Sequence, residues 1–317
     1  MVGTHGRSIW ILDNLSPLRE LAKAAGQAAY LFTPPLATRV RDNLFSDTPL
    51  PIEEPTGQNP PDGAILDYSL GSLVDQVVLE ILDQEGNLVR RFSSDDPLEG
   101  ADPASLAHPT YWIRPPVWPD RTRGHHRFVW DLRYPPPPGT DREFSIAATY
   151  RNTPSGPVGP FVHPGRYTVR LSARGVVIEK PLQIRMDPRG SATAADIRLQ
   201  TDYSMRCYRA YLSLQQVREA IDSRLAGGGL PAALAGSLHK FRGAEMPGLS
   251  DLLYGSISRT PLEQESVIGL QRKLLFLLIL LQGADARPTL QSVDALERLE
   301  AGQRSLVERW RKMRETG

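Results

Sequence analysis

Hydrophobic and polar residues alternate with a period of two in several stretches before Pro188, and with a helical period after it. Ala64, Leu66, Tyr68 and Leu70 alternate with Ile65, Asp67 and Ser69; Val77, Leu79 and Ile81 alternate with Val78, Glu80 and Leu82. Glu85-Gly86-Asn87 supplies a turn into Leu88–Phe92, which predicts a hairpin. Phe128, Trp130 and Leu132 share one face of a further strand, with Arg127, Val129, Asp131 and Arg133 on the other. Gly165 opens a strand that points Tyr167, Val169 and Leu171 inward, and Ala173-Arg174-Gly175 turns it into Val176–Met186. Short strands separated by turn signals, with no helix between them, predict a two-layer sandwich.

Flanking segments read differently. Val2–Asp13 has the pattern of a short strand, a Gly-flanked turn and a second strand. Asn14–Ala29 predicts a short helix with Ser16 as N-cap and Pro17 in the first helical position. Thr33–Pro61 is rich in Pro, Asp, Glu and Gly and reads as a surface linker; Ser93–Arg123 reads as a long polar loop.

Beyond Asp187-Pro188 the apolar spacing becomes four and three. Tyr203, Cys207, Ala210, Leu214, Val217, Ile221 and Leu225 form one seam, capped at Thr193 with Asp196 in the first turn. Val267, Leu270, Leu274, Leu277 and Leu281 form a second, started by Thr260-Pro261 and stopped at Gly283. The third is Leu296, Leu299, Gln303, Leu306, Trp310 and Met313. Three such stripes predict an antiparallel bundle, each burying its stripe against the others. The Gly-rich stretch 227–260 reads as a mobile loop with one helical turn.

The run Gly3-Thr4-His5-Gly6-Arg7-Ser8-Ile9-Trp10-Ile11-Leu12-Asp13, followed by Leu15-Ser16-Pro17-Leu18-Arg19, resembles the closing blade of a bacterial β-propeller family. Members carry sialidase-type (BNR) or sortilin-like repeats and the label glycosyl hydrolase. The similarity continues through Leu31–Pro35, Asn59–Ala64, Phe128–Tyr134 and Pro164–Val169. In that family these segments follow the propeller, first as an Ig-like sandwich and then as helices. The resemblance implies an α+β multidomain chain with a remnant of the last propeller blade over 1–16. A short helix and Pro-rich linker follow over 17–60, an Ig-like antiparallel β-sandwich over 61–187, and an antiparallel α-helical bundle over 193–316. The Ser-x-Asp-x-Gly-x-x-Trp turn of sialidase-type blades occurs nowhere, so the propeller itself is expected to be missing from this chain. The implied partner is the propeller of the intact protein, which would be secreted or periplasmic. Met1 leads directly into the blade motif, with neither a basic nor an apolar leader segment, so no signal peptide is expected.

Composition narrows the chemistry. A chain of 317 residues with net charge +1 shows no electrostatic footprint for nucleic acid or an anionic membrane. Its apolar run Leu274–Leu281 is far too short to span a bilayer. The sole cysteine, Cys207, allows no internal disulfide and no thiolate metal site, and its place on a seam predicts burial. His125 and His126 are adjacent in a strand and so point to opposite faces, which argues against chelation of one ion. No cofactor or metal is expected. Tyr111, Trp112 and Trp118, among prolines and Arg114, are the candidates for binding a partner or glycan by stacking.

Three functions follow. The first is a non-catalytic accessory region that packs on a propeller and binds a partner or glycan. The second is a glycoside hydrolase using Asp131 and Glu143, near His125-His126, since such hydrolysis needs two carboxylates about 5–10 Å apart. The third is an adhesion or assembly module that dimerises through its helices.

Overall fold

The computed structural model describes residues 2–3, 9–12, 14–41, 53–54, 60–97, 103–106, 109–140, 143–144, 151–245 and 265–315. The turn expected at Thr4–Ser8, Asn59, most of the 42–59 linker and the Thr260-Pro261 helix start lie outside them. The chain is a mixed α and β protein of two compact units. The first comprises Met1–Tyr134, Ile146–Thr153 and Pro164–Arg189; the second comprises Pro135–Ser145, Pro154–His163 and Gly190–Gly317. Pro135–Ser145 and Pro154–His163, expected within the sandwich, therefore belong with the helices.

In the first unit, β1 (Val2–Gly3) pairs with β2 (Ile9–Trp10), and α1 spans Ser16–Ala24. β3 (Ala29–Leu31), β5 (Ala64–Leu70) and β8 (Gly124–Trp130) form a three-stranded sheet in the order β3-β5-β8. β4 (Ala37–Arg39), β6 (Val77–Leu82), β7 (Leu88–Ser93), β11 (Gly165–Ala173) and β12 (Val176–Met186) form a five-stranded sheet in the order β4-β12-β11-β6-β7. Both hairpins read from the sequence are present. The two-residue β11–β12 turn places Arg174 at φ +51° and Gly175 at φ +74°, the left-handed pair that matches strand twist.

Two strands are unexpected: β3, which begins where the Asn14–Ala29 helix is expected to end, pairs with β5, and β4, within the expected linker, pairs parallel with β12. Each has three residues, too few to establish a period. Departing from an all-antiparallel arrangement, β4 finds its partner far along the sequence.

The alternation holds where it faces buried neighbours. Leu66, Tyr68, Val77, Leu79, Ile81, Phe128, Trp130, Val169 and Leu171 are buried. The ring of Phe92 in β7 lies 4.6 Å from that of Phe128 in β8, and Trp130 lies 6.1 Å from Tyr167 in β11. Side chains of the two sheets thus meet, although Tyr167 itself is only half-buried. Trp130 keeps its polar edge satisfied, its Nε1–H donating to the Arg133 carbonyl at 3.0 Å. Leu132 does not continue the strand: β8 ends at Trp130, and Leu132 reaches its buried position with φ +59°. Gly63, at φ +134°, immediately precedes β5, where a Cβ would collide with the Trp130 carbonyl.

Asp67 departs from the polar-outward rule. It is 1% exposed and accepts from Asn14 Nδ2 at 2.7 Å and from Arg127 Nε at 2.9 Å. A buried carboxylate needs such partners, and this pair ties the chain before α1 to β5 and β8. Asn14 also accepts from the Ser16 backbone N–H at 3.0 Å; Ser16, expected as the N-cap, is instead the first residue of α1, and the N-cap position falls to Leu15, which has no side-chain cap bond.

The second unit holds α2 (Ala194–Ala226), α3 (Ala232–Arg242), α4 (Val267–Leu281) and α5 (Leu290–Glu315). Thr193 and Asp196 cap α2 reciprocally. α3 occupies eleven residues of the stretch expected as loop, burying Leu238 and Phe241, the latter stacked on Trp310 of α5. α4 starts at the Ser266 cap, whose side chain accepts from the Gly269 N–H. The three expected seams are buried at Cys207, Leu214, Ile221, Leu270, Leu274, Leu277, Leu296, Leu306 and Trp310. Buried Cys207 lies 3.0 Å from the Leu274 carbonyl through Sγ, and burial pushes its thiol pKa far up. Strands β9 (Glu143–Phe144) and β10 (Ser155–Gly156) pair antiparallel. The proline run joins this unit through its carbonyls: Tyr208 donates to Pro135 at 2.9 Å and Tyr211 to Pro138 at 2.7 Å. Proline offers no N–H to a ladder but keeps its acceptor. Among the described residues, no helix is long and apolar enough to cross a membrane.

Candidate interaction surface

The feature that stands out chemically is the orientation of α1. A surface helix normally turns its apolar stripe to the core and its charges to water. In α1 the buried residue is Pro17, with Ser16, Glu20 and Ala24 half-buried. Its leucines face solvent: Leu18 is 56% and Leu21 51% exposed, and Leu15, just before the helix, is 47% exposed. Ile9, Ile11 and Leu12 are each more than half exposed. Six large apolar side chains in one short stretch of chain are thus open to water.

Local hydrogen bonding explains the orientation. Glu20 Oε2 accepts from the Tyr30 hydroxyl at 2.8 Å, and Oε1 accepts from the Thr33 backbone N–H at 3.3 Å. Lys180 Nζ stands 4.0 Å from the carboxylate and 5.6 Å over the Tyr30 ring. Burial raises the Glu20 pKa, but the bonds from Thr33 and Tyr30 and the charge of Lys180 outweigh it, leaving the carboxyl below its ordinary 4.5. Burial and the Glu20 charge push the Tyr30 phenol up. Turning the helix to bury Leu18 and Leu21 would take Glu20 from these partners. β1 and β2 add a second opening, for they form a two-stranded sheet with no third strand among the described residues.

Residues singled out from the sequence lie elsewhere. Tyr111 and Trp112 sit in a short 3-10 turn, both half-buried, with perpendicular rings 6.4 Å apart. That turn is laced to residues 151–153: Arg151 N–H donates to the Tyr111 carbonyl and Thr153 N–H to the Trp112 carbonyl. Trp118 is 44% exposed and makes no ring contact among the described residues. The structure therefore brings Tyr111 and Trp112 together as part of a folded turn.

Asp131 accepts from the Arg133 backbone N–H at 3.2 Å. Burial pushes its carboxyl above the ordinary value, while the charges of Arg90, Arg133 and Arg114 pull it down. Asp131 belongs to the first unit, whereas Glu143, in β9, belongs to the second. His125 and His126 point to opposite faces. His125 Nε2 lies 3.8 Å from Asp67, and His126 Nε2 donates to the Thr122 carbonyl at 2.7 Å. The two rings serve different contacts.

No family model, curated protein or solved structure matches the chain. Sequence reasoning missed the leucine face because apolar residues spaced by three on a short helix ordinarily mark the inward side. The available signal was Glu20, which shares the helix with them and has a distant partner.

Proposed function

We propose that this chain is a non-catalytic accessory region that docks onto a β-propeller of the sialidase- or sortilin-like kind through the face of Ile9, Ile11, Leu12, Leu15, Leu18 and Leu21. In this reading the first unit is an Ig-like sandwich and α2, α4 and α5 of the second form an antiparallel bundle. The observation that carries the reading is the outward leucine row of α1, held by the inward Glu20–Tyr30 bond. Six exposed apolar side chains represent area that association would remove from water, at roughly 25 cal/mol per Å². Open strand edges at β1 and β2 suit a β-rich partner, since strand addition would use them. The motif resemblance over Gly3–Arg19 names a propeller as that partner.

Co-expression tests the reading. The full chain should co-purify with a sialidase-type propeller whose closing hairpin has been deleted, and the Leu18→Asp/Leu21→Asp variant should not. Failure of the parent chain to co-purify would overturn it. The accessory role also predicts no turnover of a panel of aryl-glycosides by the chain alone. Turnover abolished by Asp131→Asn would instead establish a hydrolase.

A further inference from the structure

A second surface lies on β12, where Lys180 reaches Glu20 and Tyr30 while its neighbours Val177 and Glu179 are exposed. The register of β11 and β12 runs unbroken from Ala173↔Val176 to Gly165↔Ile184. A two-residue turn makes its flanking residues, Ala173 and Val176, a hydrogen-bonded pair, and every second pair down the ladder repeats this. Leu171↔Ile178, Val169↔Lys180 and Tyr167↔Leu182 therefore bond across the hairpin. Val177, Glu179 and Pro181 direct their backbone groups the other way, to the outer edge. Beyond them, β4 takes that edge at Ile184–Met186. Among the described residues no strand covers Val177–Pro181, and Val177 and Glu179 are exposed.

The side chains on this edge indicate what would pair with it. Arg91 lies opposite Glu80, Glu80 opposite Arg170, and Arg170 opposite Glu179, a row of alternating charge across β7, β6, β11 and β12. Arg170 contacts Glu80 at 3.5 Å and Glu179 at 2.8 Å. Asp96, 3.3 Å from Arg91, ends the row on one side, and Glu179 ends it at the open edge. Both ends are acidic, so three carboxylates share two guanidinium groups. Opposite charges directly across strands stabilise pairing and like charges oppose it. The next strand in this row is thus specified as basic opposite Glu179. Two positions away, Val177 lines a groove of about 490 Å³ that mixes Leu73, Val74, Val78 and Val176 with the charged Asp75 and Arg174, and its apolar part suits a β-branched neighbour.

We propose that the outer edge of β12 from Val177 to Pro181 is a strand-addition site for an extended peptide segment with a lysine or arginine opposite Glu179 and a β-branched residue opposite Val177. Main-chain bonds supply the attraction and the alternating side chains the selectivity. Pro181 presents a carbonyl but no N–H, so the added strand is short and its binding reversible. A second copy of this chain fits poorly, because self-pairing places Glu179 against Val177, Pro181 or another Glu179, none of them basic.

Two hexapeptides test this, one with lysine and valine two positions apart among threonines (Thr-Lys-Thr-Val-Thr-Thr) and one with glutamate in place of that lysine. Each is titrated into the ¹⁵N-labelled full chain at low ionic strength. The lysine peptide should shift the amides of Val177 and Glu179 and bind up to about fivefold more tightly, the range of one cross-strand charge pair. Glu179→Lys should invert that preference. Val177→Pro, which removes an outward N–H and leaves the β11 ladder intact, should abolish both titrations. Equal binding of the two peptides, shifts confined to other residues, no shifts at all, or peptide-free dimerisation lost in Val177→Pro would each overturn the proposal. The peptide swap needs no altered protein, and binding here is read separately from co-purification with a propeller.

Discussion

Tyr30 donates its phenolic hydrogen to Glu20 over 2.8 Å, holding the half-buried Glu20 of α1 while Leu18 and Leu21 of the same helix stay exposed. A helix with a strong apolar stripe is held stripe-outward because its one inward carboxylate is committed to a tyrosine, a backbone amide and a lysine.

The anchor gives a pH dependence. Glu20 has a folded pKa below its ordinary 4.5, so its contribution is complete above that value and is lost as pH falls through the folded one. The Thr33 amide resonance should titrate in that acid range in the parent chain and not in Glu20→Gln. A Thr33 resonance that ignores pH would place Glu20 elsewhere.

Truncating Trp130 tests the packing between the two sheets. It is fully buried, T-shaped against Tyr167 and hydrogen-bonded to the Arg133 carbonyl. Trp130→Ala should cost about 3–5 kcal/mol, the range for removing a buried aromatic. A thermal melt of the variant coinciding with that of the parent would contradict this packing.

Leu277 does the same for the helices. It is 5% exposed on α4. An aspartate there is a buried carboxylate without a cation and should cost several kcal/mol unless it takes up a proton. The helical circular dichroism of Leu277→Asp should melt at lower temperature than the parent at pH 7, with part of the loss recovered at mildly acidic pH. An unchanged melt would take Leu277 out of the core.

Much of this fold is legible in the chain because the deciding signals are local. The β11–β12 hairpin announces itself by Arg174-Gly175 and two alternating flanks, and α2 by the Thr193–Asp196 cap and its seam. The illegible parts depend on distant partners. β3 and β4 are three residues long and exist by pairing with β5 and β12. Asp67 reads as solvent-facing until Asn14 and Arg127 are brought to it. Leu132 reads as strand because alternation cannot foresee a left-handed residue. The candidate surface was the least legible feature: its leucines follow a buried pattern, yet the folded chain leaves them exposed. The aromatic residues that drew attention, Tyr111 and Trp112, are held within a folded turn.

The central claim, that the Ile9–Leu21 face is where this chain docks, is tested most directly by hydrogen–deuterium exchange on the full chain with and without a sialidase-type propeller lacking its closing hairpin. The account predicts new protection in peptides covering Ile9–Leu12 and Leu15–Ala24, absent in Leu18→Asp/Leu21→Asp. Protection that appears elsewhere, with these peptides exchanging as fast as in the free chain, would contradict it.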